Sequence, residues 1–198
     1  MKYDMIIAGV GGQGILSIAA ALGRAALNLN LHLKQSEVHG MAQRGGSVLA
    51  HLRLSDKPIH SDLVPRGCAA MILAMEPLEA LRYLPWLDLA NGWVVSNSEP
   101  IRNIDPYPEA EAIYAEIRGL PRPFLFNAEK LARDLGSPRA VNMAMLGAAS
   151  AFMPLPPAAL EAAIAAQFAS KSKAIVASNI AVFHAGRAAA SAGQPAPA

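Results

Sequence analysis

The sequence predicts a three-layer α/β/α sandwich of Rossmann-like type, with a mostly parallel but mixed sheet and a helical C-terminal part. Three observations carry that expectation. Apolar runs that read as strands alternate with helical patterns over about 130 residues. A glycine-rich turn, Gly9-Val10-Gly11-Gly12-Gln13-Gly14, separates the first strand from the first helix. The strand expected at 47–54 follows its predecessor with no helix long enough for a parallel crossover, so the sheet is expected to be mixed.

Met5 to Ala8 is a short apolar run that stops at glycines, the pattern of a buried strand ending in a turn. Ile15 to Leu27 is helical and nearly all apolar, and Gly23 inside it points to close packing. Leu31 to Gln35 reads as a second strand. Val48, Ala50, Leu52 and Leu54 alternate with the period of a strand, and Asp56-Lys57-Pro58 turns the chain. Cys68 to Ala74 is continuously apolar and reads as a central strand, with Cys68 as a buried small hydrophobe. Glu76 to Leu84 is a helix with Pro77 in its first turn, where proline is tolerated. Asn91-Gly92 makes a turn before a strand at Trp93 to Ser96. Pro100 to Pro108 is proline-rich and irregular. A helix follows over Ala110 to Arg118, then a short strand over Pro123 to Phe126. Asn127 should cap the helix AEKLARDLG, and Gly136 should end it. Helices over 138–152, 156–168 and 172–190 complete a single domain spanning 1–190. Residues 191–198 are expected to be a disordered tail.

The 198 residues are 53% hydrophobic and only 16% charged, a balance that predicts a surface covered by a partner subunit. A net charge of +2 with no basic run argues against nucleic acid. Cys68 is the only cysteine, which excludes a disulfide framework and a self-contained four-cysteine iron–sulfur or zinc site. His32, His51, His60 and His184 are scattered and suggest no metal centre. No stretch is long and apolar enough to span a membrane, and the short N-terminal apolar run is no signal peptide. A cytoplasmic location is expected.

The glycine turn fits G-x-G-x-x-G between a strand and a helix. Its glycines permit tight turning, and the helix N-terminus offers free N–H groups and a positive dipole end. A dinucleotide, another phosphate-bearing ligand or a subunit contact would each suit it. Glu37 lies near the spacing of the acid that a dinucleotide site requires, but its surroundings, Ser36-Glu37-Val38-His39-Gly40-Met41-Ala42-Gln43-Arg44-Gly45-Gly46-Ser47-Val48, are unlike a strand end of that kind. Arg44-Gly45-Gly46 places a forked cation beside flexible backbone able to form an anion nest. Glu37 and His39 are the acid–base candidates. Equally, Arg44 would pair with Glu37 and pin a loop, and His39 would be structural.

Taken together, GVGGQGI and SEVHGMAQRGGSV resemble the gamma-type domain of the 2-oxoacid:ferredoxin oxidoreductases. Glu76-Pro77-Leu78-Glu79-Ala80-Leu81-Arg82-Tyr83, Arg139-Ala140-Val141-Asn142-Met143, Leu146-Gly147 and Asn179 agree with it. The likeness runs from about residue 2 to residue 187. It implies a subunit inactive alone, in an enzyme that decarboxylates an aryl 2-oxoacid such as indolepyruvate or a relative such as 2-oxoglutarate. It also implies thiamine diphosphate and [4Fe-4S] clusters on a partner alpha subunit, ferredoxin as acceptor, and coenzyme A as cosubstrate, none of them held firmly by this chain. Gly9, Gly11, Gly12, Gln13, Gly14, Arg44, Gly45, Gly46 and Asn142 are then the candidate residues of a coenzyme A edge. A stand-alone nucleotide-binding module is the alternative.

Overall fold

The structure, a computed structural model, describes residues 1–39 and 45–193. Among them, six strands form one sheet and seven helices cover it. The strands are β1 (Lys2–Val10), β2 (His32–His39), β3 (Ser47–Ser55), β4 (Met71–Ala74), β5 (Trp93–Asn97) and β6 (Pro123–Phe126). The helices are α1 (Ile15–Asn28), α2 (Pro77–Arg82), α3 (Ala110–Arg118), α4 (Ala128–Asp134), α5 (Val141–Ser150), α6 (Pro157–Gln167) and α7 (Lys173–Ala192).

The sheet order is β2-β3-β1-β4-β5-β6. β1, β4, β5 and β6 run parallel, and β3 runs antiparallel to both β1 and β2. The expected mixed sheet is therefore present, with β3 inserted between β1 and β2. β1 is buried from Tyr3 to Val10 because helices cover both of its faces. On one face Met5, Ile7, Ala50, Leu52 and Leu73 pack under α1, α4, α5, α6 and α7. On the other, Ile6, Ala8, Ile72 and Val94 pack under α2 and α3. At the end of the sheet away from the glycine turn, Arg53 makes a two-pronged bond to Asp4, at 2.9 and 3.1 Å, and donates to the Ser61 and Leu63 carbonyls. That pair fixes the loop that carries the chain from β3 to β4.

Several expectations change. β2 runs on to His39, so the polar segment Ser36–His39 is strand: at the sheet edge its backbone pairs with β3 while Glu37 and Val38 reach solvent. The strand expected from Cys68 begins at Met71, because the chain before it is turned by Gly67 at φ 72°. Cys68 is consequently exposed, not a buried hydrophobe. The helix expected over 76–84 stops at Arg82 and gives way to a 3-10 turn, Leu84–Trp86, because Pro85 cannot continue the α-helical bonding. α7 extends to Ala192, two residues into the expected tail, and residues 194–198 lie outside the described residues. No described helix is long and apolar enough to cross a membrane.

The C-terminal layer depends on two glycines. A Cβ on Gly147 would lie 1.9 Å from the Phe183 carbonyl oxygen, and one on Gly186 would lie 2.0 Å from that of Ala144. α5 and α7 thus touch backbone to backbone. Gly147→Ala should destabilise the chain by at least about 2–3 kcal/mol, a fall in thermal midpoint of roughly 4–12 °C. A midpoint within about 1 °C of wild type, well below that range, would contradict the contact.

Candidate functional site

The carboxyl ends of β1, β4, β5 and β6 lie along one edge of the sheet, with the start of β3 beside them. From β1 the chain crosses by α1 to β2 on one side, and β4 leads by α2 to β5 on the other. Open α/β sheets bind ligands in the crevice where the winding reverses in this way. The glycine turn occupies one bank of that crevice, and Met75-Glu76, after β4, occupies the other.

Gln13 joins the two banks. Its Oε1 accepts from the Val10 amide at 2.7 Å, and its Nε2 donates to the Met75 carbonyl at 2.9 Å. Asn97, at the end of β5, donates to the same carbonyl at 3.2 Å and accepts from the Ala128 amide that starts α4. Gly9 must be glycine because a Cβ there would lie 2.7 Å from Gln13 Oε1 and 2.9 Å from Met75 Cβ. Gln13 and Gly9 therefore shape the turn, and their side-chain positions are spent on packing and hydrogen bonds within the fold.

The second glycine pair meets the first. The Gly11 amide donates to the Gly46 carbonyl at 2.8 Å, and the Gly45 amide donates to the Gly11 carbonyl at 3.4 Å. Asn103, in the proline-rich segment, donates to the Gly45 carbonyl at 2.8 Å. Gly12, Gly14 and Gly45 all have positive φ, at 101°, 84° and 81°, which favours glycine at each. Asn142, on the first turn of α5, presses its amide nitrogen against Gly14, 2.7 Å from where a Cβ would stand. Gly9, Gly11, Gly12, Gln13, Gly14, Gly45, Gly46 and Asn142 thus converge on one edge.

Glu37 does not join that edge. It is exposed on β2 and pairs across the ladder with Ala50, which pairs with Ile7. With strands about 4.8 Å apart, β2 lies roughly 10 Å from β1, because β3 intervenes. A dinucleotide acid ends the strand beside β1, a place that β3 fills here. The backbone of His39 lies level with Gly9 across β3. Arg44 lies outside the described residues, as does its expected pairing with Glu37.

What remains open is the N-terminus of α1. Gly14 caps it in the left-handed conformation, no side chain caps it and no acidic residue stands in its first turn. The Ile15 and Leu16 amides, at the first two helical positions, have no intrahelical acceptor. Clefts lie on both sides of the turn. One, of about 400 Å³, is walled by Val10, Gly11, Gly12, Ile15, Leu16 and Val48. The other, of about 320 Å³, is bounded by Gln13, Ile101, Glu129, Arg139 and Asn142. Burial first, then the nearby Glu99 carboxylate, raises the Glu129 pKa. Among the described residues, no three His, Cys, Asp or Glu side chains gather as a metal centre would require.

Sequence reasoning missed two buried carboxylates behind this edge. Glu76, only 1% exposed, caps α2 by accepting from the Glu79 amide at 2.9 Å and holds the Ile101 amide and the Tyr107 hydroxyl. Glu79, 2% exposed, accepts from the Ser47 hydroxyl at 2.6 Å and pairs with Arg82 at 3.2 Å. The segment EPLEALRY carried the signal, since charged residues recur inside an apolar helix.

A family profile described as pyruvate ferredoxin/flavodoxin oxidoreductase matches residues 4–189. The chain belongs to this family. The indolepyruvate oxidoreductase subunit IorB of Methanothermobacter thermautotrophicus is 38% identical over 163 residues, covering 76% of this chain and 79% of that protein. The gamma subunit of a keto/oxoacid ferredoxin oxidoreductase from Geobacter sulfurreducens shares the fold with a TM-score of 0.74 at 21% identity, over 98% of this chain and 99% of that one. So does the 2-oxoglutarate:ferredoxin oxidoreductase of Magnetococcus marinus, solved with 2-oxoglutarate, coenzyme A and succinyl-CoA bound. Its TM-score is 0.75 at 20% identity, over 98% of this chain and 32% of that one.

Two outcomes follow from this geometry. Gln13→Ala leaves the Val10 amide without its acceptor and should lower the free energy of unfolding by about 1–3 kcal/mol, measured by urea titration; a change below a few tenths would show the tie to be dispensable. Burial, offset in part by Ser47 and Arg82 and reinforced by Glu76, raises the Glu79 pKa. A carboxyl with a raised folded pKa holds its proton more tightly in the folded state, so its contribution is full at acid pH and lost as pH rises through the raised value. The thermal midpoint of Glu79→Gln should therefore gain on wild type as pH rises through and above the ordinary carboxylate range. A difference independent of pH would contradict the shift.

Proposed function

We propose that this chain is the cluster-free subunit of a 2-oxoacid:ferredoxin oxidoreductase acting on indolepyruvate, and that its glycine edge receives coenzyme A. The IorB relative supports the substrate class. The oxidoreductase splits its labour between chains. Thiamine diphosphate, on the partner alpha subunit, supplies the stabilised carbanion chemistry of decarboxylation. The [4Fe-4S] clusters on that subunit lead electrons to ferredoxin, a role that one cysteine in this chain could not fill. Coenzyme A leaves as the acyl thioester.

The observation that carries the coenzyme A reading is the uncapped start of α1 at the reversal of winding. Two backbone amides and a positive dipole end face a crevice in which no acidic side chain competes at the first turn. They suit a pyrophosphate. Gly12, where a Cβ would meet nothing within 4 Å, leaves the approach clear. Asn142 holds Gly14 in place, and Arg44 adds a forked cation next to Gly45-Gly46. The Magnetococcus marinus enzyme, of whose chain the likeness covers 32%, was solved with coenzyme A bound, which supports coenzyme A as a cosubstrate of the complex. In the reconstituted complex, Arg44→Ala should raise the apparent KM for coenzyme A about tenfold while kcat changes less, the mark of lost ground-state binding. An unchanged KM would remove Arg44 from the site.

A second reading rests on Leu16, 46% exposed in the wall of the cleft beside the glycine turn. Here the edge docks on the alpha subunit without touching ligand. Recovery of the alpha subunit with Glu37→Ala and Arg44→Ala chains separates the two: intact assembly speaks against docking by those side chains.

A further inference from the structure

We propose that Glu79 is a positioning residue for the glycine edge, acting through the Ser47 hydroxyl on the turn that carries Gly45 and Gly46. Ser47 is the first residue of β3 and follows Gly46 directly. Its hydroxyl donates to Glu79 Oε2 at 2.6 Å and lies 3.1 Å from the Tyr83 hydroxyl. The Gly46 carbonyl next to it accepts from the Gly11 amide. A displacement of Ser47 is therefore passed to Gly11 through one peptide unit and one hydrogen bond.

The other flank of the turn is held in the same way. Glu76 anchors Ile101 and Tyr107, the two ends of the segment from which Asn103 reaches the Gly45 carbonyl. Two carboxylates three residues apart thus clamp both sides of the turn. Capping of α2 accounts for Glu76. It does not account for Glu79, which lies inside the helix. A first-turn glutamate gains from the helix dipole while exposed to water, and burying it carries a desolvation penalty that needs a specific partner. Arg82 meets one oxygen from a half-exposed position, and Ser47 takes the other. Glu79 is the fixed acceptor for the residue that aims the turn.

This inference rests on the coenzyme A reading for its kinetic consequence only, and the test keeps the two apart. Ser47→Ala, Glu79→Ala and Glu79→Gln are assembled with the partner subunit, and each complex is titrated with coenzyme A. Amide hydrogen exchange is followed at Gly11 and Gly45. Ser47→Ala and Glu79→Ala should raise the KM for coenzyme A about tenfold with kcat within about twofold, and should speed exchange at both glycines. Glu79→Gln should stay near wild type, because its carboxamide oxygen still accepts from Ser47. Unchanged exchange in Ser47→Ala, with or without a change in KM, overturns the proposal; that variant is small enough to fold even if Glu79→Ala does not. A Glu79→Gln complex as impaired as Glu79→Ala overturns it as well. Faster exchange in Ser47→Ala with an unchanged KM leaves the positioning role standing and counts against the coenzyme A reading instead.

Discussion

The carbonyl of Met75 accepts hydrogen bonds from two side-chain amides, Gln13 and Asn97, and the site depends on that meeting. β1 and β4 already pair through Ala8 and Ala74. The Met75 amide extends that pairing by one bond, to the Ala8 carbonyl at 2.8 Å, and beyond it side chains set the distance between the loops. Gln13 sets that distance from the β1 side and Asn97 from the β5 side. The Asn97 bond is buried and the Gln13 bond half-buried, and an unmet amide or carbonyl in a buried place costs about 1–3 kcal/mol. The glycine turn is thereby a rigid bank with its open amides pointing one way. A binding site gains from such rigidity, because an ordered turn has little conformational entropy left to lose on meeting its ligand.

Around that bank the polar residues fall into two sets. Gln13, Asn97, Asn103, Glu76 and Glu79 bond to the fold's own backbone and side chains. The Ile15 and Leu16 amides and the approach over Gly12 are left over. The chain thus supplies a shaped, anion-friendly edge and little acid–base equipment. That suits a subunit that works within a larger complex, and it matches a surface on which Leu16 stands exposed at the crevice.

Much of the fold was legible because it follows from local rules. Helix α3 and strand β6 fall where periodicity put them, Asn127 caps α4 by accepting from the Lys130 amide, and Gly136 ends it at a φ of 67°. The glycine turn was legible because positive φ at Gly12 and Gly14 leaves few other residues to choose. What was not legible depends on which strands end side by side. Gln13 and Met75 are 62 residues apart, and Asn103 and Gly45 are 58 apart; no periodicity joins them until the strand order is known. The surroundings of Glu37 already argued against a dinucleotide acid despite its spacing from the glycines; that β3 stands between its strand and β1 became visible only with the strand order. Cys68 was placed inside by hydrophobic continuity, whereas the backbone turn at Gly67 turned it outward.

On the reading proposed above, glycine turn, uncapped helix and clamped second turn together offer this edge to an anionic ligand rather than to a covering side chain from the partner. The most direct measurement is the structure of the assembled oxidoreductase with coenzyme A bound. The expected result has phosphate oxygens within about 3 Å of the Ile15 and Leu16 amides, at hydrogen-bond distance, with Gly12 beneath them. Coenzyme A bound elsewhere, with residues of the alpha subunit packed over the start of α1, would contradict it.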